Sequence, residues 1–252
     1  MMLVAWQLSS GPISLAFLSP YIENAVNAGQ HNFKLTLKDT ILTWAGWQRT
    51  LDIRVLDVKV LRPDGSLIGS VPEVSFSLSG RALVGGLLAP RSIELFGPRL
   101  LVRRERDGRI DVAFLESEAQ SGEFAQRLIG QLLAEPASKN AMSYLNRLEI
   151  VSAEITLEDR LLGKSWVVPA SDASLRRDHF GLKGSLSLEL DVDKRKTVIA
   201  VKGGYVTARR RFDLIVDFAD ISPAAFSSIY YELGPLRAFA LPLKGTVTAS
   251  VS

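Results

Sequence analysis

Two short clusters carry side chains that could move protons: Asp178-His179 and Glu158-Asp159. A positioned imidazole or carboxylate is the usual equipment of general acid–base catalysis. Neither cluster has a nucleophile, a metal-ligand spacing or a paired-carboxylate context around it, so exposed turn residues are the expected role. The wider inventory points the same way. The 252-residue chain has no Cys and only two His, His31 and His179, which lie far apart in sequence. Zero Cys excludes thiol catalysis, disulfides, iron–sulfur clusters and Cys-ligated zinc. Two distant His disfavour most zinc sites and Ser-His-Asp triads. No glycine-rich phosphate loop is present. The expectation is a protein that is not an enzyme and takes no metal or cofactor.

A second kind of chemistry is anion binding. Basic clusters stand at Arg103-Arg104, Arg176-Arg177, Lys194-Arg195-Lys196 and Arg209-Arg210-Arg211. They could touch anionic lipid headgroups. Most sit at hairpin ends beside acids, where solvated turns are the ordinary reading. The net charge of +3 is mild, and nucleic acid is not an expected partner.

A third kind is apolar. Leu182, Leu186, Leu188, Leu190 and Val192 alternate with polar residues, as do Phe212, Leu214, Val216 and Phe218. Such alternation gives a strand with one apolar face. Read from the residues alone, that face fits an ordinary core more readily than a ligand groove.

The elements that must position these residues are mostly strands. A hydrophobic fraction of 47% and a charged fraction of 23% are ordinary for a folded chain of this length. Met1 to Trp6 is apolar but far shorter than the roughly 20 residues of a membrane span. It reads as a loose arm or as the end of a membrane helix, and it lacks the features of a secretory signal. A short helix is expected within Pro12 to Ala28, starting near Ser19 as a possible N-cap and stopped by Gly29. Strands follow from Asn32, over Ile41 to Trp47, Leu51 to Leu61, Val71 to Leu78, Ile93 to Leu95 and Leu100 to Val102. Turn signals stand at Arg62-Pro63-Asp64-Gly65 and Asp107-Gly108. Glu118 to Glu135 has an apolar stripe at helical spacing and predicts an amphipathic helix that covers an edge or end of the sheet. Strands then resume over Leu182 to Val192, Val198 to Thr207 and Phe212 to Phe218. A helical turn is expected near Pro223 to Tyr231, and a last strand carries Val247, Ala249 and Val251.

Three segments share one pattern, beginning at Leu51, Ile93 and Leu148. Each opens apolar–acid–apolar: Leu51-Asp52-Ile53, Ile93-Glu94-Leu95 and Leu148-Glu149-Ile150. Five residues on stand Val58, Leu100 and Ile155, followed two later by Val60, Val102 and Leu157. An odd step moves a side chain to the opposite face of a strand. A bulge or kink at Leu56-Asp57, Gly97-Pro98 and Ser152-Ala153 would restore the face. Pro72 and Pro169 also match between the first and third copies. A repeat of strands stacked on neighbours is the simplest reading.

Four stretches carry a family resemblance. WQLSSGPISLAFLSPYIENAV resembles the segment after the N-terminal membrane helix of the AsmA-like superfamily of bacterial envelope proteins, YhdP-type members above all. The segment from Leu51 to Val112 is similar to that family's first β unit. LEIVSAEITLEDRLLGKSWVVP with RRDHFGLKGSLSLEL is similar to the next, and ELGPLRAFALPLKGTVTASV to the entry of a later one. TamB-type and bridge-like lipid-transfer proteins look related. The resemblance implies a mainly β fold: an elongated, twisted, antiparallel repeating β-groove with a few short helices. It also implies a periplasmic protein of Gram-negative bacteria, held to the inner membrane by an N-terminal helix that this chain almost lacks. The groove would carry phospholipid acyl chains between inner and outer membranes. With the resemblance, Leu182, Leu186, Leu188, Leu190, Val192, Phe212, Leu214, Val216 and Phe218 become groove candidates. Replacing Leu188 and Leu190 by Asp is expected to strip the lipid and leave the strands intact.

The expected organisation is a remnant anchor with a short helix over 1–30, a first β unit over 31–115, a helical insertion over 116–141 and a second β unit over 142–252 that continues beyond the chain end. Two other functions fit the same pattern: an envelope assembly factor that adds outer-membrane strands to its sheet edge, and a passive spacer.

Overall fold

The computed structural model describes residues 13–14, 16–27, 34–43, 52–87, 89–115, 141–192, 195–209, 211–226, 231–239 and 241–251. The expected helix over Glu118–Glu135, the Met1–Trp6 run and His31 lie outside the described residues. A nine-residue helix, α1 (Ser19–Asn27), begins where the sequence placed its start. Ser19 is buried and shares a hydrogen bond of 2.9 Å with the Thr40 hydroxyl, which ties the helix to the sheet. The short α2 (Gly80–Val84) and α3 (Pro223–Phe226) complete the α-helices among the described residues.

The rest is one open sheet. Its strands are β1 (Ile13–Ser14), β2 (Lys34–Thr36), β3 (Asp39–Thr43), β4 (Asp52–Leu61), β5 (Leu67–Leu78), β6 (Pro90–Phe96), β7 (Arg99–Arg104), β8 (Ile110–Phe114), β9 (Arg147–Asp159), β10 (Lys164–Asp178), β11 (Gly181–Val192), β12 (Arg195–Val206), β13 (Arg211–Ile221) and β14 (Leu243–Val251). The order runs β1-β3-β4-β5-β6-β9-β10-β11-β12-β13-β14, with β2 on β4, β7 on β9 and β8 on β7. The protein is therefore mainly β, as expected. The expected turns close as the residues dictate. Gly65 N–H donates to the Arg62 carbonyl at 2.9 Å, and Gly65 and Gly108 take φ of +86° and +85°, which glycine adopts without strain.

The sheet is not antiparallel throughout, which corrects one expectation. β6 and β7 both lie parallel to β9. A parallel pair needs a crossover of about a dozen residues or more, and the chain between Leu115 and Ala141 supplies that length. The two expected β units thus join in a single sheet through this parallel seam.

The seam follows the repeat. Ile93 pairs with Leu148, Leu95 with Ile150, Leu100 with Ile155 and Val102 with Leu157. Residues that align as second and third copies in sequence therefore face each other in space. The five-residue step bends as expected in all three copies. Asp57, Gly97 and Ser152 have φ of +51°, +64° and +54°. Across each bend the apolar face is recovered. Val55 and Val58 are both buried in the first copy, and Ile150 packs on buried Ala153 and Ile155 in the third. Pro169 sits in the irregular pairing between Val168 and Ser171, where a missing N–H costs no ladder bond. A left-handed backbone is costly for a residue with a Cβ, by about 1 kcal/mol. Ser152→Gly is therefore expected to raise stability and Gly97→Ala to lower it, each by up to about 1 kcal/mol in denaturant titration.

Charge fixes the same register. Arg99–Glu154 (3.6 Å), Arg103–Glu158 (2.8 Å), Arg104–Asp159 (3.2 Å) and Glu105–Arg160 (3.0 Å) all join residues 55 positions apart. The second copy is basic where the third is acidic, and the signs reverse together at the last pair. A one-residue slip would break all four. Exposed pairs contribute about 0.2–1 kcal/mol each. Arg103→Glu is expected to cost about 1 kcal/mol in thermal or denaturant unfolding, and Glu158→Arg in the same chain to recover most of it.

Candidate functional site

In a pleated sheet, residues paired across strands share a face. From β10 to β14 the register builds rows of known composition. One row is Ala173, Leu186, Val201, Val216 and Val247. The next is Leu175, Gly184, Gly203, Leu214 and Ala249, and beyond it Arg177, Leu182, Tyr205, Phe212 and Val251. On the other side lies Ser171, Leu188, Ile199, Phe218 and Gly245. One face of these five strands is therefore almost wholly apolar. The opposite face is polar and internally bonded. Ser174 meets Ser185 at 2.8 Å, Thr246 donates to Asp217 at 2.6 Å and Ser250 donates to Asp213 at 2.6 Å. The same division continues into β4 and β5, where Arg54 bonds Glu73 at 2.8 Å behind the apolar Val55 and Val74.

The apolar face holds a concavity of about 340 Å³, lined by Leu148, Leu175, Leu182, Leu186, Tyr205 and Leu214 among others. Its floor is the cross-strand glycine pair Gly184 and Gly203. Absent side chains leave the dip, and its neighbours lean in. A Cβ built on Gly203 would lie 3.4 Å from the Phe212 ring, and one on Gly184 would lie 3.4 Å from a Leu175 methyl. Much of the face remains open, with Phe212 43% and Val247 56% exposed.

The nine groove candidates separate by role. Leu182, Leu186, Phe212 and Leu214 line the concavity. Val216 shares the neighbouring row, and the Phe218 ring lies over Gly245. Leu188 and Leu190 pack instead against the buried cluster of Ala153, Ile155 and Val168. They are partly buried against that core, so Asp at these positions is expected to weaken the strands rather than leave them intact. Val192 pairs with Arg195 through the backbone, and its side chain lies outside the described residues. The residues missed by sequence reasoning are Leu148, Ile150, Ala173, Leu175, Val201 and Tyr205. Leu175 was masked by its neighbours Arg176 and Arg177. Val201 and Tyr205 keep the period of two, but Gly203 between them leaves a gap where a side chain would continue the apolar run.

The acid–base clusters are occupied by structural contacts. Asp178 accepts from the Phe180 N–H and from Lys183 Nζ, each at 2.8 Å, in the β10–β11 turn. The Lys183 contact is the main reason its carboxyl is held below the usual carboxylate range. Glu158 and Asp159 belong to the ion pairs with Arg103 and Arg104 at the other end of the sheet. Among the described residues, no group of three or more His, Asp or Glu is placed to hold a metal. Of the basic clusters, Arg210 and Lys194 lie outside the described residues, as do the side chains of Arg195 and Lys196.

Comparison of the chain with protein-family models, curated proteins and solved structures finds no match.

Proposed function

We propose that this chain is a groove segment of a periplasmic lipid-transfer protein, carrying phospholipid acyl chains along its apolar sheet face between inner and outer membranes. The observation that carries the reading is the division of the sheet. One face is apolar over many strands and holds a concavity with a glycine floor, while the other is mostly polar and bonds many of its hydroxyls and carboxylates within itself. Each buried CH₂ of an acyl chain contributes about 0.8 kcal/mol. Few polar groups interrupt the face, so a chain held there has little to fix it at one position. The resemblance to AsmA-like envelope proteins supplies the compartment, the phospholipid and the attachment to the inner membrane. No described helix is long and apolar enough to cross a membrane. The test is extraction of the purified chain followed by lipid mass spectrometry. Phospholipid at a stoichiometric ratio is the expected result, and its absence favours a passive spacer.

One observation supports a second reading. Among the described residues, β14 pairs only with β13, which leaves the backbone of its outer edge without a neighbouring strand, and Val247 and Val251 on its apolar face are 56% and 66% exposed. An open edge strand of this kind can accept another strand. Crosslinking from β14 to outer-membrane protein precursors, with no lipid bound, would replace carriage by strand assembly.

A further inference from the structure

We propose that the end of the sheet formed by the β10–β11 turn and the β12–β13 connection docks on the surface of an anionic bilayer. This inference rests on the groove reading, because the lining of the concavity reaches Leu182, Tyr205 and Phe212, the row nearest that end. The turn presents His179 and Phe180, and the Phe180 ring is 74% exposed. The short 3-10 helix Thr207–Arg209 lies beside it, its Thr207 N–H donating to the Phe180 carbonyl at 3.1 Å. The two tips therefore form one surface.

Cations gather around that surface. Arg147, Arg176 and Lys183 face each other in one row across β9, β10 and β11. Like charges placed directly opposite are unfavourable in a sheet unless an anion meets them. Arg211 begins β13, and Arg209 is exposed between the strands. Glu149, Asp178 and Asp213 answer Arg147, Lys183 and Arg211 at 3.4, 2.8 and 2.7 Å. Among the described residues no ion pair answers Arg176 or Arg209, and the named cations outnumber the named acids. Arg177 stands on the apolar side of the same end, in the row of Leu182, Tyr205 and Phe212, and donates to the Ser143 carbonyl at 2.6 Å. Basic side chains around an exposed aromatic, over a width of about 19 Å for five strands, match an anionic headgroup layer with acyl chains beneath it. Docking there would bring a lipid tail to the row of Leu182, Tyr205 and Phe212, which lines the concavity.

The test is flotation of the full chain with vesicles. Vesicles containing about 30% phosphatidylglycerol are expected to carry the chain upward, pure phosphatidylcholine vesicles to carry little, and about 0.5 M salt to release most of it. Arg176→Glu with Arg209→Glu is expected to weaken partition by about tenfold or more. Phe180→Asp is expected to weaken it on its own, and Arg106→Glu, in the β7–β8 turn at the far end, to leave it unchanged. Circular dichroism confirms that each variant keeps its strands. Equal flotation with both vesicle types, or equal losses from Arg106→Glu and Arg176→Glu/Arg209→Glu, overturns the docking surface. A chain that floats but copurifies with no lipid supports docking and overturns carriage. A lipid-filled chain that does not float overturns docking alone.

Discussion

A chain carrying Leu186→Asp and Leu214→Asp is expected to keep its sheet and lose its phospholipid. Both side chains line the concavity, and both are half-exposed on the apolar face. A carboxylate at either position can reach water when the groove is empty, so the folded chain tolerates it. When an acyl chain fills the groove, the same carboxylate must be desolvated, which costs several kcal/mol. Loss of a Leu side chain removes about 2 kcal/mol of apolar contact as well. Together these predict a loss of bound lipid by more than tenfold, read by mass spectrometry of the purified variant. Circular dichroism should show unchanged strand content. Retention of lipid would place the acyl chains elsewhere, and collapse of the strands would make this face an ordinary core.

Leu188→Asp with Leu190→Asp is expected to do the opposite: to destabilise the fold itself. These two side chains pack on Val168, Ala153 and Ile155, which are 0%, 1% and 7% exposed. Both are only partly buried, so losing each side chain's packing costs about 2 kcal/mol, the low end for a core Leu, and a carboxylate held against this apolar cluster adds to it. For a chain of this size about 1 kcal/mol moves the melting temperature by about 2–4 °C. The double variant should therefore melt at least 10 °C lower by about that scale, or fail to fold. A variant that melts like the parent would show that Leu188 and Leu190 do not pack on the apolar cluster of β9 and β10. The contrast between the two pairs is itself informative. Leu186 and Leu188 are two residues apart on one strand face, yet one opens to the concavity and the other meets the core.

The physical reason for that contrast separates what sequence determines here from what tertiary structure decides. Period-two alternation determines that Leu182, Leu186, Leu188 and Leu190 share a face, because successive side chains of a strand point to opposite sides. The odd step from Ile150 to Ile155 determines that a bend must intervene, and Ser152 bends there with φ of +54°. These are local rules, and they hold for β4, β9 and β11 alike. What lies against a face is a different matter. Leu188 meets the core because it stands opposite Ser171 on β10, beside Val168 and the β9 residues Ala153 and Ile155, and β9 is placed by β6 and β7 from far earlier in the chain. The parallel seam was written in the sequence as a repeat, but direction is not a property of any one copy. Only the assembled sheet makes the repeat offset and the pairing offset the same. The glycine pair at the floor of the concavity is the clearest case. Gly184 and Gly203 each read as a weak strand position, and they become a site only when β11 and β12 set them opposite each other. The basic clusters behave likewise. Arg176 and Arg209 are 33 positions apart, one near the end of β10 and one in the β12–β13 connection, and those ends meet through the Thr207–Phe180 hydrogen bond. Sequence specified the faces of the strands, and the order of strands decided which faces meet, which remain open and where their charges gather.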